Sequence, residues 1–283
     1  MNELPLNMQK LINCYKPIET DGFTLYPITV ANYAEFMVAR RAIGFVQQTL
    51  PIELMSMPLL SALYKIDFEH ALKEEEPSGL FASALLSIAL ALRLNQGAEE
   101  ASDIFKRLTI IADPHDQSRL KSINFTLDGI EEKSITPIQY ARLRPIIAAQ
   151  NGIKLASDLD NPELLQAEED LADSNAPKLD YRTENLVYAA AALTGKDEEE
   201  IYGWPILKLT NRLSSFKRIL DYIVCGIGET QGTQWKGGNP HPHPWVDKIT
   251  GMSAALMPMG DFMGGAGYQA MKDAGVDSSS AQI

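Results

Sequence analysis

Leu80 to Leu92 reads LFASALLSIALAL, the longest apolar stretch of the chain. A membrane-spanning helix needs roughly 20 consecutive apolar residues, and these thirteen are interrupted by small Ala and Ser side chains. The stretch therefore predicts a helix buried on all sides inside a protein core, and no membrane segment. Its neighbours support a layer of helices. KEEEPSG, residues 73–79, is a polar loop leading into it, and before that ELMSMPLLSALYKI restarts after Pro51 as another apolar helix. Further upstream Tyr33, Phe36, Met37 and Ile43 recur near helical spacing, with Thr29 available as an N-cap. Ahead of them, FTLYPIT follows the turn pair Asp21-Gly22 and is rich in aromatic and β-branched residues, so it predicts a short isolated or edge strand ended by Pro27. Residues 1–105 thus form a helical N-terminal part with one leading strand.

Downstream the texture changes. RLTIIA, RLKSINFTL and SIT, separated by DPHDQS and DG, predict a small β-meander of two or three strands between Arg107 and Ile135. Thr136-Pro137 with Gln139 spells a capping box, in which the hydroxyl accepts from a free helix-start N–H and proline has none to leave unsatisfied. That helix runs to Gln150, where Asn151-Gly152 can close it, and Pro145 inside it predicts a kink or a split. Asn161-Pro162-Glu163 starts a short helix through Ala172. A helix over 181–193 ends at Gly195, and Asp197 can cap the next, whose first-turn acids Glu198, Glu199 and Glu200 suit the positive end of the helix dipole. Trp204-Pro205 then opens a longer helix with apolar residues at Ile206, Leu209, Leu213, Phe216, Leu220 and Ile223, in alternating steps of three and four. From Cys225 on, GIGETQG, KGGNPHPHPW and the Met-containing GGAG region predict an extended arm with at most one short helix near 267–273. The fold class expected is mainly α with a small β-meander (α+β) and a flexible Gly/Pro/Met-rich C-terminal tail. The second part spans 106–228 and the arm 229–283.

Charge excludes one large class of partners. A net charge of −12 disfavours nucleic acid, whose affinity for proteins rests on cations neutralising phosphate. The charge is also segregated: residues 157–200 hold thirteen acids against three bases, whereas 201–250 hold six bases against three acids. Segments of opposite sign can meet within a chain or between subunits, where complementarity sets orientation and encounter rate. Cys14 and Cys225 lie far apart without metal or disulfide spacing, which fits a reducing compartment.

Catalytic patterns are sparse. Polyproline geometry in NPHPHPW turns His241 and His243 away from each other, and Asp113, His115 and Asp116 in DPHD suit a β-turn better than a metal nuclease. No nucleotide loop, GxSxG elbow, HExxH helix or calcium loop occurs in the sequence. The chain is therefore expected to be no enzyme and to take no cofactor or metal. What remains is recognition through apolar surface. Methionines at Met55 and Met57, and at Met252, Met257, Met259 and Met263 in the arm, are pliable contact groups, though methionine also fills cores. The Ile206 to Ile223 seam has the same two readings, packing within the domain or meeting a partner.

Several stretches resemble a group of tail-region proteins of long-tailed bacteriophages, the tail assembly chaperones: LYPITVANYAEF, LPIELMSMPLLSALYKID, ITPIQYARLRPIIAAQNGI, NPELLQAEEDL, IYGWPILKLTNRL and TQWKGGNPHPHPW. Together they touch most of residues 22–248, and HPHPW departs from the simpler aromatic ending of the group. The resemblance implies a protein of the host cytoplasm that binds the tape measure protein and keeps it soluble while tail-tube subunits polymerise, itself forming a homo-oligomer. It points to Leu209, Leu213, Phe216, Leu220, Trp235 and Trp245 as contact residues. The alternative is a structural tail or connector protein retained in the virion.

Overall fold

A computed structural model describes residues 4–97, 101–127, 131–155 and 182–232. The chain divides into two units, Met1–Ser214 and Ser215–Ile283. A single buried cluster runs from Ile12 to Leu209 and takes in both the N-terminal helices and the meander.

In the first unit, helix α1 (Leu6–Asn13) leads into a hairpin of β1 (Ile18–Thr20) and β2 (Phe23–Leu25). The strand expected at FTLYPIT is thus an edge strand, paired on one side with β1. Asp21 and Gly22 both adopt positive φ, 48° and 79°, as a two-residue hairpin turn requires. Helices α2 (Tyr33–Ile43), α3 (Ile52–Met55), α4 (Leu59–Leu72) and α5 (Leu80–Ala91) follow. Helix α5 is the buried helix that LFASALLSIALAL predicts. It packs most extensively against α2, whose Ala39 and Ala42 are also fully buried. Ser83 and Ser87 are tolerated in its interior because their hydroxyls donate to the carbonyls of Gly79 at 2.8 Å and Ala84 at 2.7 Å. Among the described residues no helix is long and apolar enough to cross a membrane.

After α6 (Ala101–Lys106), strands β3 (Leu108–Ala112), β4 (Leu120–Leu127) and β5 (Glu131–Ile135) form an antiparallel meander in the order β3-β4-β5. The mainly α architecture with a small meander is therefore the one expected. The DPHD segment is a turn: Asp113 accepts from the backbone N–H of His115 at 2.8 Å, and Asp116 accepts from the Ser118 hydroxyl at 2.6 Å. Among the described residues no group of three or more His, Cys, Asp or Glu side chains is placed to hold a metal ion.

Helix α7 (Pro137–Gln150) carries the full Thr136–Gln139 capping box. Pro145 does not split it. The N–H that proline lacks would have met the carbonyl of Ala141, an exposed residue whose carbonyl water can satisfy. Tyr140 is fully buried, its hydroxyl 3.3 Å from Ser87 Oγ, and burial raises its pKa above the ordinary tyrosine value. Arg144 donates to the carbonyls of Ile43 and Phe45 and so ties α7 to the end of α2. Helices α8 (Thr183–Thr194) and α9 (Glu198–Tyr202) follow; α8 ends at Gly195 as expected, and that glycine lies in the left-handed region. Asp197 stands at the N-cap position of α9, yet its side chain makes no capping hydrogen bond. The last described helix is α10 (Ile206–Thr230). The helix expected from Asn161 to Ala172, the 267–273 helix, the C-terminal arm, Trp235 and Trp245 lie outside the described residues.

Candidate partner interface

The apolar seam of α10 is the feature that distinguishes this molecule, and its first turns are fixed by a short backbone clamp. Val30 N–H donates to the Trp204 carbonyl and Ile206 N–H to the Ile28 carbonyl, both at 2.9 Å, while Thr29 and Pro205 form an isolated bridge. Ile28 N–H in turn donates to Asn151 Oδ1 at 3.0 Å, and Asn151 Nδ2 donates to the Ile147 carbonyl at 2.8 Å. A buried asparagine at the end of α7 thus fixes the strand-like segment that grips the start of α10. Beside it, Gly152 has φ 73°, which strains any other residue, and a Cβ there would meet Leu207 Cδ1 at 3.0 Å, so that the leucine methyl would have to shift by a few tenths of an ångström.

Around this anchored half lies a cleft of about 270 Å³, lined by Tyr33, Phe36, Met37, Arg40, Leu207 and Asn211 among others. Lys208 holds its ammonium 3.9 Å from the centre of the Trp204 ring. Loss of hydration lowers the Lys208 pKa below the ordinary lysine value, with repulsion from Arg212 and Lys196 in the same direction and Glu200 opposing them. Trp204 is buried, and its Nε1 has no hydrogen-bond partner among the described residues.

Along the helix the seam passes from covered to bare. Leu209 is 2% exposed and belongs to the core, so the structure places it out of a partner's reach, a correction to its expected contact role. It sits one turn from the clamp, where burying a leucine is worth about 1.5–3 kcal/mol to the fold itself. Leu213 is half-buried against the same core, and Phe216 is half-buried. Leu220 is 55% exposed. Beyond it Ile223 is 46% and Ile227 51% exposed, and Ile219 and Val224 flank them, also exposed.

Four of these side chains, Ile219, Ile223, Val224 and Ile227, are not among the residues read from the sequence as contacts. The signal for Ile227 was present, since another step of four from Ile223 lands on it. Gly226 and Gly228 masked it, because each glycine costs a helix roughly 1 kcal/mol and the pair resembles the start of a loop. The helix nevertheless continues to Thr230, and Gly232 with φ 73° follows its end.

At a rotation of about 100° per residue, Phe216, Ile219, Leu220, Ile223, Val224 and Ile227 share an arc roughly 140° wide. Arg218, Asp221 and Glu229 lie on the opposite side, and Lys217 borders the arc beside Val224. Chemically, such an arc can desolvate another apolar surface. No protein-family model, curated protein or solved structure matches the chain.

Proposed function

We propose that this protein acts as an assembly chaperone for a long, helical polypeptide with exposed apolar stripes, and that its client is the tape measure protein of a long-tailed bacteriophage. The observation that carries the reading is the bare seam of Leu220, Ile223 and Ile227 on a helix whose first turns are buried in the core. A solvent-exposed apolar stripe of this kind is a standing cost in water unless something covers it, and an amphipathic helix is the natural complement. The acidic exterior supports solubility of the complex, since the whole chain carries a charge of −12. The name of the client comes from the resemblance to the tail assembly chaperones, and the host cytoplasm is where such a client is made.

Coexpression tests the reading. The protein is expected to raise the soluble fraction of the tape measure protein several-fold. A triple variant, Leu220→Asp, Ile223→Asp and Ile227→Asp, is expected to lose that effect while keeping its unfolding midpoint. An unchanged soluble fraction with the unaltered protein overturns the proposal. Mass spectrometry of purified particles separates it from the structural tail-protein reading: a chaperone is absent from finished virions, and a connector subunit is present in many copies.

A further inference from the structure

The cleft of about 270 Å³ has helix α2 as one wall and the first turns of α10 as another, with residues 151–153 completing it. On α2, Tyr33, Phe36, Met37 and Arg40 line it from a single helical face. Most of the lining is apolar: Phe36 and Met37 meet Ile153, Ile206 and Leu207. Arg40 is its charged side chain. Among the described residues no acid lines the cleft, and no carboxylate comes within ion-pair distance of the Arg40 guanidinium. A cation without a counter-charge beside an apolar cleft is complementary to a ligand that carries both an anion and a greasy body. We propose that the cleft binds a small monocarboxylic acid with an aromatic or branched apolar body, its carboxylate on the Arg40 guanidinium and its body against Phe36, Ile206 and Leu207.

Size, charge and rigidity each narrow the ligand. Pockets for drug-sized molecules run from about 300 to 1,000 Å³, and an apolar cavity of about 150 Å³ already accepts benzene. A cleft of about 270 Å³ therefore suits one ring or branched chain with a short acidic arm, and is too small for a dinucleotide. A planar guanidinium fork matches the two oxygens of a carboxylate, which a neutral ligand cannot offer. Arg41, the other base in the last turn of α2, serves the helix dipole equally well and does not line the cleft. The remaining polar groups are already engaged: Thr210 donates to the Ile206 carbonyl at 3.0 Å and Asn211 to the Tyr15 hydroxyl at 3.2 Å. The Asn151 hydrogen bonds fix the third wall before any ligand arrives, so little ordering opposes binding. A bound acid touches α2 and the anchored turns of α10 together and braces that half of the helix. None of the seam side chains from Phe216 to Ile227 takes part, so the inference goes beyond the chaperone reading and does not rest on it.

The test titrates 3-phenylpropionate into the full chain and follows its methyl NMR spectrum. The methyls of Met37, Ile153, Ile206 and Leu207 are expected to shift together, with a Kd on the order of 0.1–1 mM for a ligand of this size. Arg40 is exposed, so Arg40→Met is expected to keep the unfolding midpoint of the free protein. That variant with the acid, and the unaltered protein with the neutral 3-phenylpropionamide, are each expected to bind about three- to five-fold more weakly, the range for an exposed ion pair. Acetate, an anion without a body, is expected to leave the four methyls in place. Absence of shifts up to about 10 mM acid, or shifts confined to other parts of the chain, overturns the site. Equal affinity for acid and amide, or an Arg40→Met variant that binds as tightly as before, overturns the carboxylate assignment. Thermal unfolding gives a second readout: acid at about ten times its Kd is expected to raise the midpoint by about 2–4 °C, and no rise overturns binding to the folded state. The triple variant Leu220→Asp, Ile223→Asp and Ile227→Asp is expected to bind the acid unchanged, and Arg40→Met to keep the client soluble, so either reading can fail without the other.

Discussion

The two halves of α10 have the same apolar spacing and opposite fates. In the first half Ile206 and Leu209 are buried in the chain's own core, where the helix start is held by backbone hydrogen bonds to the 28–30 segment. In the second half Leu220, Ile223 and Ile227 occupy equivalent positions and stay exposed. An apolar period therefore specifies that a surface is to be covered, and the surrounding chain decides by what. In the first half the cover is intramolecular. In the second, the side chains stay exposed.

The largest expected effect tests that contrast directly. Leu209→Ala should destabilise the fold by about 2–5 kcal/mol in urea unfolding, the usual cost of emptying a core leucine site. Leu220→Ala should stay within about 0.5 kcal/mol of the unaltered protein, as exposed substitutions do. Similar costs at the two sites would break the comparison.

Next in size is the clamp. Asn151→Ala strands the Ile28 N–H and the Ile147 carbonyl and should cost about 1–3 kcal/mol, the range for buried groups left without partners. Gly152→Ala forces a side chain into the left-handed region against Leu207 and should cost roughly 1–2 kcal/mol, read by the same unfolding experiment. Both variants sharpen the comparison if the seam's second half still binds its client once the protein is folded.

Much of this was legible beforehand, and the reasons differ from one place to another. The Thr136 capping box, the Asp21-Gly22 turn and the buried α5 helix follow from local chemistry: a hydroxyl at the right spacing, two residues tolerant of positive φ, and a charge-free helical stretch. The β1 partner of FTLYPIT was missed because IET is short and contains an acid, so only its register with β2, Ile18 opposite Leu25, identifies it. The single core joining the N-terminal helices to the meander was also illegible, since it rests on contacts between residues distant in sequence, such as the Phe23 and Phe125 rings at 6.2 Å. For the candidate interface, spacing revealed the seam, whereas which half is buried depended on the Asn151 clamp, a tertiary hydrogen bond that no periodicity encodes.

The smallest prediction concerns pH. Lys208, in the anchored half, has its pKa lowered chiefly by lost hydration. Between that lowered value and the unfolded lysine value of about 10.4, the unfolded chain binds more protons than the folded one. Stability from this group should therefore be fully present above the unfolded value and be lost as pH falls through the folded value. An NMR titration of the Lys208 ammonium should show a midpoint below that of an unstructured lysine, and a midpoint above it would contradict lost hydration as the dominant influence on this group.

Hydrogen exchange on the protein alone and in its co-purified complex with the tape measure protein tests the central claim most directly. The account predicts that amides of residues 216–230 exchange markedly more slowly in the complex, while those of the anchored turns around Leu209 are unchanged. Protection confined to other parts of the chain, with 216–230 exchanging as fast as before, would contradict it.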